Sequence, residues 1–137
     1  MVKQKEDILK EKGIKIVIPF KTPTYNHLYW HRGNMKILTT EARKLREEIK
    51  GIVVNSPIPQ IQEETQLELV VEIHENWFTQ KGKVARKDIS NREKFLVDSV
   101  FNALEIDDKF IFKHSMNKVQ SKKEKAVIKI SLLKNDK

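Results

Sequence analysis

Residues 87–108 read KDISNREKFLVDSVFNALEIDD and combine a helix pattern with acidic residues at both ends. Ser90 and Glu93 have the S-x-x-E spacing of a capping box, which predicts that a helix begins here. Apolar residues then recur at the spacing of one helix face, at Leu96, Val97, Val100, Ala103 and Leu104. The segment therefore predicts an amphipathic helix over about residues 90–105.

The acids that frame this helix are unexpected, because the chain has a formal net charge of +8. They are Asp88 before the helix, Asp98 within it, and the pair Asp107 and Asp108 after it. Acids around a helix are commonly solvated charges or caps. Carboxylates are also the hard oxygen ligands that Mg²⁺ or Mn²⁺ prefers, so the residues alone leave both explanations open.

The flanking sequence predicts further strands and one more helix. Alternating apolar residues predict strands over residues 14–18, 67–73 and 125–133, and another strand that begins near Phe110. A helix is expected over about residues 40–53, with Thr39 or Thr40 as its cap. We expect residues 23–35 to form a polar and aromatic loop and residues 113–123 to form a basic hairpin tip. This order predicts an α+β domain with two helices packed on a mixed sheet.

Length and composition limit the class of protein. The 137 residues suit one domain, which we expect at residues 14–137 after a charged N-terminal tail of residues 1–13. The chain has no cysteine, which excludes disulfides and thiolate metal sites, and its four histidines are scattered. No apolar run approaches the ~18 residues of a membrane span, so we expect a cytoplasmic, nucleoid-associated protein without a membrane partner.

Basic residues cluster along the chain in a way that favours nucleic acid as a partner, although excess lysine can also serve solubility alone. One cluster directly precedes Asp88, and a second lies around Lys118. The aromatic segment before residue 35 could stack on bases or could simply pin a loop to the sheet. The candidate DNA-binding residues are Lys81, Lys83, Arg86, Lys87, Asn26, Arg32 and Lys118.

Several motifs occur along the chain in one order. The first is Pro23-Thr24-Tyr25-Asn26-His27 with Trp30, and Thr40-Glu41-Ala42-Arg43 follows it. Later come Asp88-x-Ser90-Asn91-x-x-Lys94, Asp98, the Asp107-Asp108 pair and a Phe-Ile strand. Together they cover roughly residues 14–130, and their order resembles the RusA family of Holliday junction resolvases.

This resemblance implies a small homodimeric endonuclease that depends on Mg²⁺, with Mn²⁺ as an alternative, and nicks four-way DNA junctions symmetrically. It implies that Asp88 and Asp108 hold the metal ion, with Asp107 beside them. Asn91 and Lys94 would complete the catalytic set.

Two further residues near this set need comment. The family prototype has a second aspartate at the position of Ser90, and a hydroxyl is a poorer ligand than a carboxylate, so the site has one negative charge fewer. Asp98 stands four residues after Lys94 and would pair with it or remain a solvated helix charge. The missing acid suggests an alternative function, a catalytically weak or inactive DNA- or RNA-binding module of the same fold.

The length of the predicted helix suggests how the site is assembled. A helix over residues 90–105 would be on the order of 20 Å long, so Asp88 and Asp108 would leave its opposite ends. Because the few residues after the helix have a short reach, either the helix is much shorter than its periodicity suggests or the acids of one site come from two subunits of a two-fold dimer, and we expect the second.

Overall fold

The computed structural model describes residues 13–23, 25–56 and 61–133. These residues form, in order, β1 (Ile14–Ile18), α1 (Tyr25–Leu28), β2 (Tyr29–Arg32), β3 (Met35–Leu38), α2 (Thr40–Val53), β4 (Leu67–Glu75), α3 (Ser90–Leu104), β5 (Ile111–Gln120) and β6 (Lys125–Leu132). A 3₁₀ turn, Asp108–Phe110, leads into β5. Residues 1–12 of the predicted tail lie outside the described residues, as do the side chains of Asn26 and Asn91.

The described strands form a four-stranded sheet in the order β1-β6-β4-β5 and a separate hairpin of β2 and β3. β6 is antiparallel to both of its neighbours, β1 and β4, whereas β4 and β5 are parallel. Parallel neighbours cannot be joined by a tight turn, and α3 makes the long connection between them. The mixed sheet and its long helices confirm the predicted α+β class.

One face of the sheet packs into the core. Every second residue of β4 is buried, beginning with Leu67, while the alternate residues are half-buried. Both long helices join the same apolar cluster as the strands. Their buried apolar side chains are Ala42, Ile49 and Val53 from α2, and Phe95, Leu96, Val97, Val100, Phe101 and Leu104 from α3. Each large side chain contributes about 1.5–3 kcal/mol when fully buried, so packing fixes α3 firmly against the sheet.

The helix bounds agree closely with the sequence predictions. α2 runs over Thr40–Val53, and the hydroxyl of Thr39 accepts a hydrogen bond from the amide of Ala42 at 3.1 Å. α3 ends at Leu104, followed by Glu105 in the left-handed conformation with φ 59°. Strong apolar periodicity therefore located both helices correctly.

The predicted capping box at the start of α3 is wrong. Ile89 occupies the N-cap position, and Ser90 is the first helical residue. The Ser90 hydroxyl donates instead to Asp88. Glu93 is buried, and its carboxylate lies 2.6 Å from the imidazole of His114 on β5. A partner distant in sequence thus replaced the local bond that the spacing suggested.

Two segments that were predicted to be irregular instead contain regular secondary structure. The expected hairpin tip of residues 113–123 lies mostly in β5, and the expected loop of residues 23–35 contains α1, β2 and the first residue of β3. β5 pairs along one edge with β4, and most of its side chains are exposed, including Phe112 at 62% and Met116 at 42%. The start of this strand was predicted near Phe110, but its exposed remainder has no apolar alternation from which its length could be predicted.

Candidate active site

A cavity of about 450 Å³ lies between α3 and the segment that leads into β5. Its lining residues are Ser90, Glu93, Lys94, Val97, Asp98, Asp108, Ile111 and His114. The five residues from α3 have the spacing of one helix face, which the core does not fully cover. Most of the lining side chains are charged or polar.

The cavity exists because the chain turns back beside α3 after the helix ends. His114 on β5 lies against Glu93 in the first turn of α3. Asp108 precedes that strand and reaches the same cavity as Ser90. One chain thus brings the start of α3 and Asp108 to a common cavity, so helix length alone does not require a second subunit.

Asp88 adjoins this cavity through Ser90. Its Oδ1 accepts hydrogen bonds from the Ser90 hydroxyl at 2.7 Å and from the Ser90 amide at 3.0 Å. The hydroxyl bond, followed by the amide bond, holds the pKa of Asp88 below its ordinary value, with a smaller contribution from Lys118. Asp88 is exposed and therefore presents an ionised carboxylate to solvent near neutral pH.

The late acid pair divides into two roles. Asp107 is exposed, and its Oδ1 accepts a hydrogen bond from the Lys109 amide at 2.9 Å, which caps the 3₁₀ turn. Asp108 is also exposed and lines the cavity. Of the pair, Asp108 therefore has the more direct access to a ligand in the cavity.

Lys94 and Asp98 face the cavity one helical turn apart. Their charged groups lie 4.0 Å from each other, as expected for side chains at i and i+4. Both side chains are substantially exposed, at 67% and 39%, so the pair is weak in water and its partners can exchange. Lys94 can therefore turn towards an anion that enters the cavity.

Glu93 and His114 are two cavity residues that the sequence did not reveal as neighbours. Burial raises the pKa of the Glu93 carboxyl above its ordinary value, and the imidazole of His114 opposes that rise. Periodicity could not show this contact, because it depends on β5 lying alongside α3. The only local sign of this contact was that Glu93 stands at a helix position that is buried in the structure.

A model of the endodeoxyribonuclease RusA family matches residues 19–131 of the 137-residue chain. The chain belongs to the RusA family. RusA endonucleases act on Holliday junctions, and this membership confirms the resemblance seen in the motifs. No curated protein matches the chain. No helix in the described part of the chain has the length and apolar character needed to span a membrane.

The resemblance implies a metal ion held by the acids of this site. Among residues 13–23, 25–56 and 61–133, no three histidine or acidic side chains are close enough to form a metal site. Asp88, Asp107 and Asp108 thus do not form one three-ligand group within a chain. Mg²⁺ commonly binds through one or two carboxylates, with waters and substrate phosphates as its other ligands. Asp88 and Asp108 fit that open arrangement, because both are exposed oxygen donors beside the cavity.

The predicted DNA-binding residues lie in different settings. Lys81, Lys83 and Arg86 are exposed in the loop between β4 and α3, where Phe78 and Val84 form an isolated bridge. Arg32 is exposed at the end of β2. These positions are accessible to phosphates.

Lys87 and Lys118 have partners within the protein. The Lys87 ammonium donates to Glu75 at 3.0 Å and to the carbonyl of Asn76 at 2.6 Å. The Lys118 ammonium lies 4.9 Å from the centroid of the Trp77 ring. Lys87 directly precedes Asp88. Lys118 on β5 is close enough to Asp88 to contribute to its lowered pKa.

Proposed function

We propose that this RusA-family chain is a Mg²⁺-dependent endodeoxyribonuclease that resolves four-way junctions by paired symmetric nicks, with Mn²⁺ as an alternative ion. Family membership supports cleavage of branched DNA. The cavity supports the finer assignment, because the start of α3, Lys94 and Asp108 line it together in one chain. That juxtaposition is the main structural argument for the site.

Each site residue has a proposed role that follows from its setting. Asp88 and Asp108 would hold the ion, with Asp107 close by. When bound, Mg²⁺ supplies polarisation of the scissile phosphate and an acidified water. The Ser90 hydroxyl holds Asp88 ionised and oriented, and the Lys94 ammonium offsets negative charge on the phosphate. Asn91, at the start of α3, would orient a carboxylate or water.

DNA binding would depend on exposed basic residues in the loop between β4 and α3. Lys81, Lys83 and Arg86 would neutralise backbone phosphates and release counterions, which makes affinity fall as salt rises. Asn26 and Arg32 would be further contacts with the DNA. A homodimer would present two equivalent sites, as two symmetric nicks require.

The alternative is an idle DNA- or RNA-binding module of the same fold. The observation that favours it is the position of Ser90, whose hydroxyl donates to Asp88 where the family prototype has a second acid. A site with one carboxylate fewer would bind Mg²⁺ more weakly. The chain would then keep the fold and the basic surface but lack nuclease activity.

Cleavage of a four-way junction tests the two functions directly. The full chain would be incubated with a labelled immobile junction and with a linear duplex of the same arms, each with and without Mg²⁺ or Mn²⁺. We expect paired nicks in the junction only when the metal is present, and little cleavage of the duplex. Salt-sensitive binding without nicks under any metal condition would favour the idle module.

A further inference from the structure

A buried ionic cluster lies behind Asp88, at the point where β4 ends and α3 begins. Its centre is Glu75, the last residue of β4, which is 1% exposed. The Glu75 carboxylate accepts hydrogen bonds from the buried guanidinium of Arg92 and, at 3.0 Å, from the ammonium of Lys87. Burial of a carboxylate is costly unless it is paired, and here two cations compensate it.

The electrostatics of Glu75 agree with this arrangement. Burial alone would raise the pKa of Glu75, but hydrogen bonds from Arg92 and Lys87 outweigh it and hold that pKa below the ordinary value. The glutamate is therefore ionised throughout the neutral range. A permanent buried charge holds both cations in place.

Trp77 closes the cluster from another side. The indole Nε1 donates to the carbonyls of Ile73 at 3.1 Å and Val119 at 3.2 Å, which fixes the ring against the sheet. Arg92, Lys87 and Lys118 approach the ring centroid at 5.4, 5.7 and 4.9 Å. The ring and the carboxylate thus hold cations from the loop, from α3 and from β5 in one place.

The cluster brackets Asp88 along the chain. Lys87 is the residue immediately before Asp88, and Arg92 lies in the first turn of α3 after it. The short segment between these two anchors contains Asp88 and Ser90, which bond to each other. Both ends of that segment are tied to the same glutamate.

We propose that Glu75 and Lys87 are positioning residues that fix the backbone on either side of Asp88. The catalytic part of this inference rests on the proposed function, whereas the anchoring of the segment does not. Glu75 and Lys87 act through Asp88, because a displacement of about 1 Å at a reacting group can lower a rate by roughly 10²-fold.

The test compares Lys87→Met with Lys129→Met as its matched control. Lys129 also pairs with a glutamate, Glu72, at 3.3 Å, but on the outer face of the sheet. Each variant removes one positive charge and one lysine–glutamate pair. A difference between the variants in amide exchange or nicking therefore reports on where the pair lies. Lys87 is 29% exposed, so its replacement should leave the folded core intact.

The first measurement is hydrogen exchange of the Ser90 amide by NMR, with amides of β4 as reporters of global opening. We expect Ser90 exchange to accelerate about tenfold in Lys87→Met while the β4 amides keep their rates, because local opening is separate from global unfolding. Lys129→Met should leave Ser90 unchanged, and Lys87→Arg should restore its protection. Unchanged Ser90 exchange in Lys87→Met would overturn the proposal.

The second measurement separates positioning from DNA binding. Junction binding without divalent metal would be measured for each variant, beside single-turnover nicking at saturating protein with Mg²⁺. With all of the junction bound, we expect Lys87→Met to nick roughly tenfold to 10²-fold more slowly than Lys129→Met. Nicking as fast as that of Lys129→Met would contradict the inference.

These results also distinguish failure of the inference from failure of the proposed function. If the parent chain does not nick junctions, the nuclease assignment fails, and the exchange experiment still tests the anchoring of the segment. Glu75→Gln provides a second variant for the same exchange measurement, with its fold checked by circular dichroism. Faster Ser90 exchange in this variant would support the cluster, and parent-like exchange would contradict it.

Discussion

The ionisation of the Asp88 carboxylate depends mainly on Ser90, which stands where the family prototype has an acid. Its hydroxyl and amide both donate to the same carboxylate oxygen. These bonds favour the ionised form of Asp88 and fix its direction. Ser90 thus departs from the family pattern, yet it stabilises the ionised form of Asp88, the first acid of that pattern.

We predict that Ser90→Ala raises the pKa of Asp88 towards its ordinary value of 3.8, because the hydroxyl bond is the largest cause of the present lowering. Carboxyl ¹³C titration by NMR would measure the change. Ser90→Thr keeps the hydroxyl and should keep the lowered pKa. An unaltered Asp88 titration in Ser90→Ala would show that the amide alone is sufficient.

The buried Glu93 predicts a pH dependence of stability. Because burial raises the pKa of Glu93, the folded state holds its proton more tightly than the unfolded state. The folded protein therefore loses stability as pH rises above the ordinary value of 4.5. Glu93→Gln removes this loss, so we expect its free energy of unfolding to increase relative to the parent across that range in urea titrations.

Glu72→Gln is a control of opposite sign for that experiment. A hydrogen bond from His74 is the largest cause that lowers the pKa of Glu72, so its stabilising effect is present above the ordinary value and lost as pH falls through the lowered one. The Glu72→Gln variant should therefore lose stability relative to the parent as pH rises through that window. Parallel trends in the two variants would contradict the assignments.

At the scale of elements, the sequence located α2, α3, β1, β4 and β6 because each has an apolar face of regular period. It located the start of β5 near Phe110 but not the mostly exposed remainder of that strand, and it missed the hairpin of β2 and β3. Periodicity also could not show that Glu75 is buried at the end of β4. The charged residues of the site were found by motif, and their contacts required the fold.

The N-terminal cap of α2 offers an element-scale prediction. The Thr39 hydroxyl accepts from the Ala42 amide and donates to the His27 carbonyl at 2.7 Å, so it joins α2 to the end of α1. We expect Thr39→Ala to lower the free energy of unfolding by about 1 kcal/mol, a typical value for loss of a cap. Thr39→Ser should lose less in the same urea titration, and equal losses would argue against the hydroxyl as the cause.

At the scale of the whole molecule, the remaining question is how two nicks are made. The return of the chain beside α3 places Ser90 and Asp108 at one cavity, which supports a complete site in each subunit of the proposed dimer. The sequence suggested sharing between subunits from helix length, and it could not show that return. The dimer would then bring two complete sites together, and neither subunit would contribute residues to the other's site.

Mixing two inactive variants tests this arrangement. Asp88→Asn and Asp108→Asn should each abolish nicking, and we expect their mixture to remain inactive, because every site within one chain would still contain one lesion. Subunit exchange would be verified with differently tagged chains, and a mixture of parent and Asp88→Asn would serve as the active control. Recovery of nicking in the doubly mutant mixture would show that acids from two subunits form one site.

The strand order has a consequence for how the molecule is made. β6 lies between β1 and β4 in the sheet, yet it follows both of them in the chain. A nascent chain on the ribosome cannot pair β1 until β6 has been synthesised, because Ile14 pairs with Ile130. Such distant pairings close slowly, so folding should begin late and wait for nearly the whole chain. A stop codon just before β6 would therefore remove the middle of the sheet, although it shortens only the end of the polypeptide.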